Sequence, residues 1–277
     1  MKKSISLNGM KIGPESPLTL IAGPCVLESK TMIEEIAGHL QALCSDFNVN
    51  FIFKGSFDKA NRTSIHSKRG PGHEEGLRLL EFVKSTFNVP VTTDIHEAHQ
   101  ANEVGSVVDI IQIPAFLCRQ TDLLNAAAQT GKIVNVKKGQ FISPIEMRHV
   151  VSKLEDSGCT QSILTERGTF FGYSRLVNDF IGLGDLQEIG PPVCFDVTHS
   201  TQLPGADTQQ TGGRPDRALL LAKAATASNV DALFVECHPE PAKGHSDAST
   251  MLELGSMNEL IQICSEIHKT VHQMGQN

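Results

Sequence analysis

The 277-residue chain has no tryptophan and a single tyrosine. It therefore lacks the aromatic platform on which single-stranded nucleic acids stack. Positive charge is also scarce: 24 Lys and Arg face 31 Asp and Glu, a formal net charge of −7. No basic field spreads over the surface to attract a nucleic-acid backbone, so no nucleic-acid partner is expected. Any anion site must come from cations gathered locally. No apolar run reaches the roughly 18 residues of a membrane span, so no membrane association is expected. Met1-Lys2-Lys3-Ser4-Ile5-Ser6 has no apolar signal core. The seven cysteines are odd in number and irregular in spacing. That excludes a disulfide framework and points to a reducing, cytoplasmic setting. No linker or shift of composition divides the chain, so a single domain over 1–277 is expected.

What is present is a repeated unit. A short β-branched apolar run, a polar loop and a helical pattern recur eight times. The strands are predicted at 18–24, 50–55, 89–95, 108–114, 132–138, 161–166, 192–198 and 231–236. The helices are predicted at 31–46, 73–87, 97–104, 120–130, 144–157, 175–182, 216–228 and 256–273. Ser143-Pro144-Ile145-Glu146 reads as an N-cap with Pro at N1 and a capping-box Glu. Thr31-x-x-Glu34 and Ser256-x-x-Glu259 read as two further boxes. Eight such units imply an α/β fold of the (β/α)₈ TIM-barrel type, with a doubly wound open sheet as the alternative. Residues 1–13 lie outside the repeat. "SISLNGMKIG" alternates on either side of Asn8-Gly9, which predicts a β-hairpin capping the bottom of the barrel.

In such a barrel, chemistry sits where strands end. Those positions hold Cys25, Lys54, Asp94, Gln112, Pro114, Lys137, Lys138, Glu166, Arg167, His199, Glu236 and His238. Polar groups at so many strand ends are costly unless they converge on a ligand. One subset is cationic: Lys54, Lys59, Arg62, Lys137, Lys138 and Arg167, a set suited to phosphate and carboxylate. The loop "DKANRTSIHSKRGPG" adds the hydroxyls of Thr63 and Ser64 to its cations. A second subset, Cys25, His199, Glu236 and Asp247, offers the donor types of a first-row divalent ion, although no local metal motif links them. Cys44, Cys118, Cys159, Cys194 and Cys264 read as packing residues. His39, His149, His268 and His272 read as surface or interface groups. Two Gly- and Pro-rich segments, 202–216 and 238–250, read as lids.

"GPCVLES", "FKGSFDKANRTSIHSKRGPG", "IQIPAFLCRQTDL", "NVKKGQF", "TERGTFFGY", "FDVTHSTQLPG" and "HPEP…SDAS" together resemble the 3-deoxy-D-manno-octulosonate 8-phosphate synthase family, from about residue 18 to the C-terminus. The resemblance implies an enzyme of the transferase class, a homotetrameric barrel. It would condense phosphoenolpyruvate with D-arabinose 5-phosphate and water for the Kdo sugar of lipopolysaccharide. Cys25, which is Asn in the metal-independent branch, together with "QLPG" and "SDAS", resembles the metal-dependent branch. The metal ligands so implied are Cys25, His199, Glu236 and Asp247, holding Fe²⁺, Zn²⁺, Mn²⁺ or Co²⁺, with no organic cofactor. The catalytic residues implied are His199, Lys137, Lys59 and Asp247. The substrate-binding residues implied are Lys54, Lys59, Asn61, Arg62, Thr63, Asp94, Gln112, Pro114, Ala115, Phe116, Lys137, Arg167, His199, Gln202 and His238. Phe116 and Arg119 are expected to reach a neighbouring subunit's site. Cys237, where Thr or Ala is more usual in the family, is expected to place an extra thiol near the metal.

Two other readings remain open on the residues alone. One is a 3-deoxy-7-phosphoheptulonate synthase using erythrose 4-phosphate, in which "KANRTS" would usually read Lys-Pro-Arg-Thr. The other is a phosphosugar-binding barrel without turnover. If Cys25 is a ligand, Cys25→Ala lowers metal content and activity together. Elemental analysis paired with a phosphate-release assay checks this, and an inactive variant that keeps its metal would contradict it.

Overall fold

The computed structural model describes residues 2–61, 66–205 and 212–274. Eight parallel strands run Thr19–Gly23, Asn50–Lys54, Val91–Asp94, Ile110–Ile113, Ile133–Lys137, Ser162–Glu166, Val193–Asp196 and Ala232–His238. The seventh and eighth pair through Asp196↔Phe234, and the eighth and first through Glu236↔Gly23. The sheet therefore closes, and the open-sheet alternative is excluded. Every strand position is buried except Asn50, as expected for strands covered on both faces.

Alternation along the strands divides their side chains between two cores. Leu20, Phe51, Phe53, Ile111, Val134, Val136, Leu164, Phe195 and Leu233 face outward onto the helices. Ile21, Ile52, Ile110, Ile133, Ile163, Cys194, Ala232 and Phe234 fill the interior. The N-terminal hairpin completes that inner cluster. Its strands, Ile5–Leu7 and Met10–Ile12, pair antiparallel across Asn8 and Gly9, both in the left-handed region. This is the backbone a two-residue type I′ turn requires. Ile5, Leu7 and Ile12 enter the barrel floor, while Asn50 Nδ2 donates to Lys11 O and Lys3 N to Gly190 O.

The helices follow the strands in turn: Lys30–Asp46, His73–Phe87, Ala101–Val107, Thr121–Gln129, Met147–Asp156, Phe180–Glu188, Ala218–Ala227 and Met257–Met274. Three local expectations are corrected. The sixth helix starts at Phe180 rather than 175, because the Asp179 side chain caps it by accepting from Ile181 N. The residues just before it, Leu176–Val177, pair with Thr169–Phe170 as a short ribbon. The first helix is capped by Ser29, not Thr31, and Ser256 lies in a 3₁₀ turn with its hydroxyl donated to Glu253 O. The capping box at Ser143 and Glu146 forms as expected.

His268, expected at a surface or interface, is buried within the chain and bonds to Ser16 O through Nε2. Cys44, Cys118, Cys159, Cys194 and Cys264 are all buried. No helix among the described residues is long and apolar enough to cross a membrane. Of the 202–216 segment, Gln202–Leu203 pairs with Gly212–Gly213, and 206–211 lie outside the described residues. Ile12 is fully buried in the floor. Ile12→Ala is expected to cost about 2–5 kcal/mol. Denaturant unfolding measures this, and a loss below about 0.5 kcal/mol would show that the hairpin does not share the core.

Candidate active site

The inward positions at the C-terminal ends of the strands are polar or charged, while the apolar cluster fills the floor. Lys54, Asp94, Gln112, Lys137 and Glu236 line one cleft of about 280 Å³ at the mouth. Cys25 enters beneath it through a tight approach of two strands. A side-chain carbon on Gly23 would lie 2.0 Å from Lys54 O, so only glycine fits there. After that contact Pro24 turns the chain, and Cys25 O accepts from Lys54 Nζ at 3.0 Å. The same ammonium donates to Glu236 Oε1 at 2.5 Å, with Lys54 1% and Glu236 0% exposed. Lys59 Nζ approaches that carboxylate at 3.8 Å.

Sγ of Cys25 and one carboxylate oxygen each of Glu236 and Asp247 lie within 4.8 Å of one another. Cys25 Sγ bonds to Asp247 Oδ2 at 3.0 Å. Glu236 Oε2 is buried with no hydrogen-bond partner among the described residues. Of the four expected ligands, His199 stands at the edge of this group, its Nε2 3.6 Å from Glu236 Oε2. A thiol, an imidazole and two carboxylates suit a borderline divalent ion, and the orphaned Glu236 oxygen is where such an ion would complete the bonding. The electrostatics agree. Burial, then Asp247 and Glu236, push the Cys25 thiol well above its ordinary value. Burial also opposes ionisation of Glu236, but Lys54 and Lys59 outweigh it and hold that carboxyl well below its usual range.

Asp196, fully buried, organises the opposite side. Its carboxylate caps the short helix Val197–Ser200 by accepting from His199 N at 2.9 Å. It also accepts from Lys137 Nζ at 2.6 Å and meets His199 Nδ1 at 2.8 Å. A proton held on Nδ1 leaves Nε2 to face Glu236. Phe234 supports both partners, its ring centroid 3.5 Å from Lys137 Nζ and 5.8 Å from the His199 ring. Burial lowers the Lys137 ammonium from its ordinary value even beside Asp196.

Arg167 completes the wall. Its Nη2 donates to Gln202 Oε1 at 2.6 Å, and its Nη1 is buried without a partner among the described residues. No carboxylate among those residues lies within 4.0 Å of it. On the other rim Asp94 accepts from Ser56 Oγ and pairs with His96 Nε2 at 3.0 Å. Asn61, Pro114, Ala115 and Phe116 border the same cleft. Phe116 is 55% exposed and Arg119 is also exposed.

Several expected residues fall elsewhere. Arg62, Thr63 and Ser64 lie outside the described residues. His238 does not line the cleft: it is buried, its Nδ1 accepts from Glu240 N at 2.9 Å, and its Nε2 faces Glu28. His238 is the last residue of its strand, and its ring is engaged by Glu240 N and Glu28 rather than by the cleft. Cys237 packs in the helix-facing core, which corrects the extra thiol expected near the metal. Lys138 and Glu166 form a buried pair at 3.6 Å, and Lys138 Nζ reaches Thr169 Oγ1 rather than the cleft. Conversely, His96 and Gln140 line the cleft, and Asp196 organises it, without having been anticipated, while Pro204 and Ser246 line it from the two segments read as lids. His96 and Asp196 each stand at or just after a strand end, in "TDIH" and "FDVTH", and that position was the available signal.

Comparison with known proteins agrees with this geometry. The model of the DAHP synthetase I family matches residues 2–273. A Fusobacterium nucleatum protein is 49% identical over 267 residues, 96% of each chain. One from Protochlamydia amoebophila is 46% identical over 273 residues, 99% of each. One from Rickettsia bellii is 50% identical over 261 residues, 94% of this chain and 95% of its own. All three carry the name 2-dehydro-3-deoxyphosphooctonate aldolase. A closed barrel with cations and metal-type donors at its mouth, matched over nearly its whole length, thus belongs to the DAHP synthetase I family.

Proposed function

We propose that the chain condenses phosphoenolpyruvate with D-arabinose 5-phosphate and water, giving 3-deoxy-D-manno-octulosonate 8-phosphate and phosphate. This would be a cytoplasmic step toward the Kdo of lipopolysaccharide. The shared name of its near-half-identical relatives supports this chemistry. The observation that carries it is Arg167, a buried guanidinium with an unpartnered Nη1, in the same cleft as Lys59, Lys137 and the Cys25–Glu236–Asp247 group. A buried guanidinium N–H left without an acceptor is costly, and an anionic substrate that accepts from it removes that cost.

In this reading Arg167, Lys137 and Lys59 hold the phosphate and carboxylate of phosphoenolpyruvate. Asn61 and Asp94 face the sugar, while Arg62 and Thr63 take its phosphate. C3 of phosphoenolpyruvate attacks the aldehyde carbon, water adds at C2, and the hemiketal phosphate loses phosphate by C–O cleavage. The cations offset the mutual repulsion of two anions and fix their approach. Lys54, Lys59, Lys137 and Arg167 stand against Asp94, Asp196, Glu236 and Asp247, so the protein groups nearly cancel. A divalent ion (Fe²⁺, Zn²⁺, Mn²⁺ or Co²⁺) on Cys25, His199, Glu236 and Asp247 would tip that balance to positive and supply Lewis acidity. Asp196 keeps the His199 ring and the Lys137 ammonium in place throughout. The exposed Phe116 and Arg119 are consistent with a homotetramer in which they reach a neighbouring site.

The family description favours a second reading, with erythrose 4-phosphate as the aldose. Asn61 on the cleft wall argues for the longer sugar. A phosphate-release assay with both aldoses decides. Arabinose 5-phosphate should exceed erythrose 4-phosphate by about 10²-fold or more in kcat/KM, and the reverse order overturns the proposal. Asp196→Asn keeps the helix cap but removes the charge beside buried Lys137. It should lower unfolding free energy by about 3–5 kcal/mol, and an unchanged denaturant midpoint would contradict the role given to Asp196.

A further inference from the structure

Three segments must be held together before Cys25, Glu236 and Asp247 can converge: the turn after the first strand, the end of the eighth, and the loop beyond it. One carboxylate touches all three. Glu28 stands three residues after Cys25. Its Oε1 accepts from His245 N at 2.8 Å, and its Oε2 lies 3.5 Å from His245 Nε2. His245 stands two residues before Asp247. Glu28 Oε1 also lies 3.9 Å from Nε2 of His238, which stands two residues after Glu236. Since His238 Nδ1 accepts from Glu240 N, the neutral ring carries its proton on Nε2, the nitrogen 3.9 Å from Glu28.

The Glu28 side chain is 12% exposed, and none of Glu28, His238 and His245 lines the substrate cleft. They are not a second copy of the metal group either: among the described residues only Cys25, Glu236 and Asp247 converge tightly enough. Asp247 itself sits in a turn with φ 50°, its carbonyl accepting from Thr250 N and Met251 N. Those bonds shape the turn but do not attach it to the barrel. The Cys25 Sγ bond to Asp247 and the His245 N–H bond to Glu28 both do, the second from outside the metal group.

We infer that Glu28 is a positioning residue, a carboxylate clasp that sets the separation of the three ligand-bearing segments from behind the site. This rests on the metal reading above. Groups that orient ligands from outside a metal site are commonly worth 10- to 100-fold in affinity. The His238 side chain, expected in the substrate pocket, finds its place in this clasp.

The test is cobalt binding to the metal-stripped full chain, read by the thiolate-to-cobalt charge-transfer absorption and by chelator competition. Wild type should bind one ion per chain. Glu28→Ala should bind about 100-fold more weakly and Glu28→Gln about 10-fold, with the melting temperature of the stripped protein unchanged. Glu28→Gln is isosteric, so it decides the matter if Glu28→Ala does not fold. Dissociation constants within twofold of wild type overturn the clasp and leave the metal reading intact, as does a lowered melting temperature with unchanged cobalt affinity. Two ions per wild-type chain would overturn the clasp in favour of a second metal site. No cobalt binding by wild type overturns the metal reading and the clasp together.

Discussion

The contact between the Lys54 ammonium and the Glu236 carboxylate, almost fully removed from water, governs the mouth of this barrel. Neither charge is tolerable there without the other. The pair also sets the state of everything around it. Lys54 keeps Glu236 ionised, and Glu236 then helps to raise the Cys25 thiol and leaves one oxygen unspent. The same ammonium holds the Cys25 carbonyl, so the backbone that carries the thiol is tied to the pair as well. The close passage of Gly23 under Lys54 O makes that contact geometrically accessible.

Across the cleft, Asp196 plays the corresponding part for Lys137 and His199. Two charge centres, one on the second and eighth strands and one on the seventh, thus divide the labour. The first organises donor atoms, and the second organises a cation and an imidazole. Arg167 belongs to neither, which leaves it free for an incoming anion. Burial opposes charge on the thiol and the carboxylates alike; it prevails at Cys25, whereas neighbouring cations keep Glu236 and Asp196 ionised.

Much of this was legible in the sequence. Strand positions follow from β-branched runs, and alternation alone places Lys54, Asp94, Lys137 and Glu236 on the inner face. Asn8-Gly9 announces its turn by residue type. Other features were not legible. Asp196 was hidden because the strand is predicted to run to 198, whereas it ends at Asp196, which caps the short helix that follows. His238 was expected in the cleft because its strand position allows it, whereas its ring is held by Glu240 N and faces Glu28, local contacts that a strand pattern does not encode. The sixth helix was displaced because Leu176, Val177, Phe180 and Ile181 continue a helical spacing through a ribbon, and only the Asp179 side chain decides the start. Ligand convergence across strands far apart in sequence follows from closure, which no local pattern encodes.

The hairpin at the floor has a kinetic meaning as well as a packing one. Ile5, Leu7 and Ile12 make the barrel a blind well rather than a conduit. Molecules arriving and departing share one doorway and must take turns.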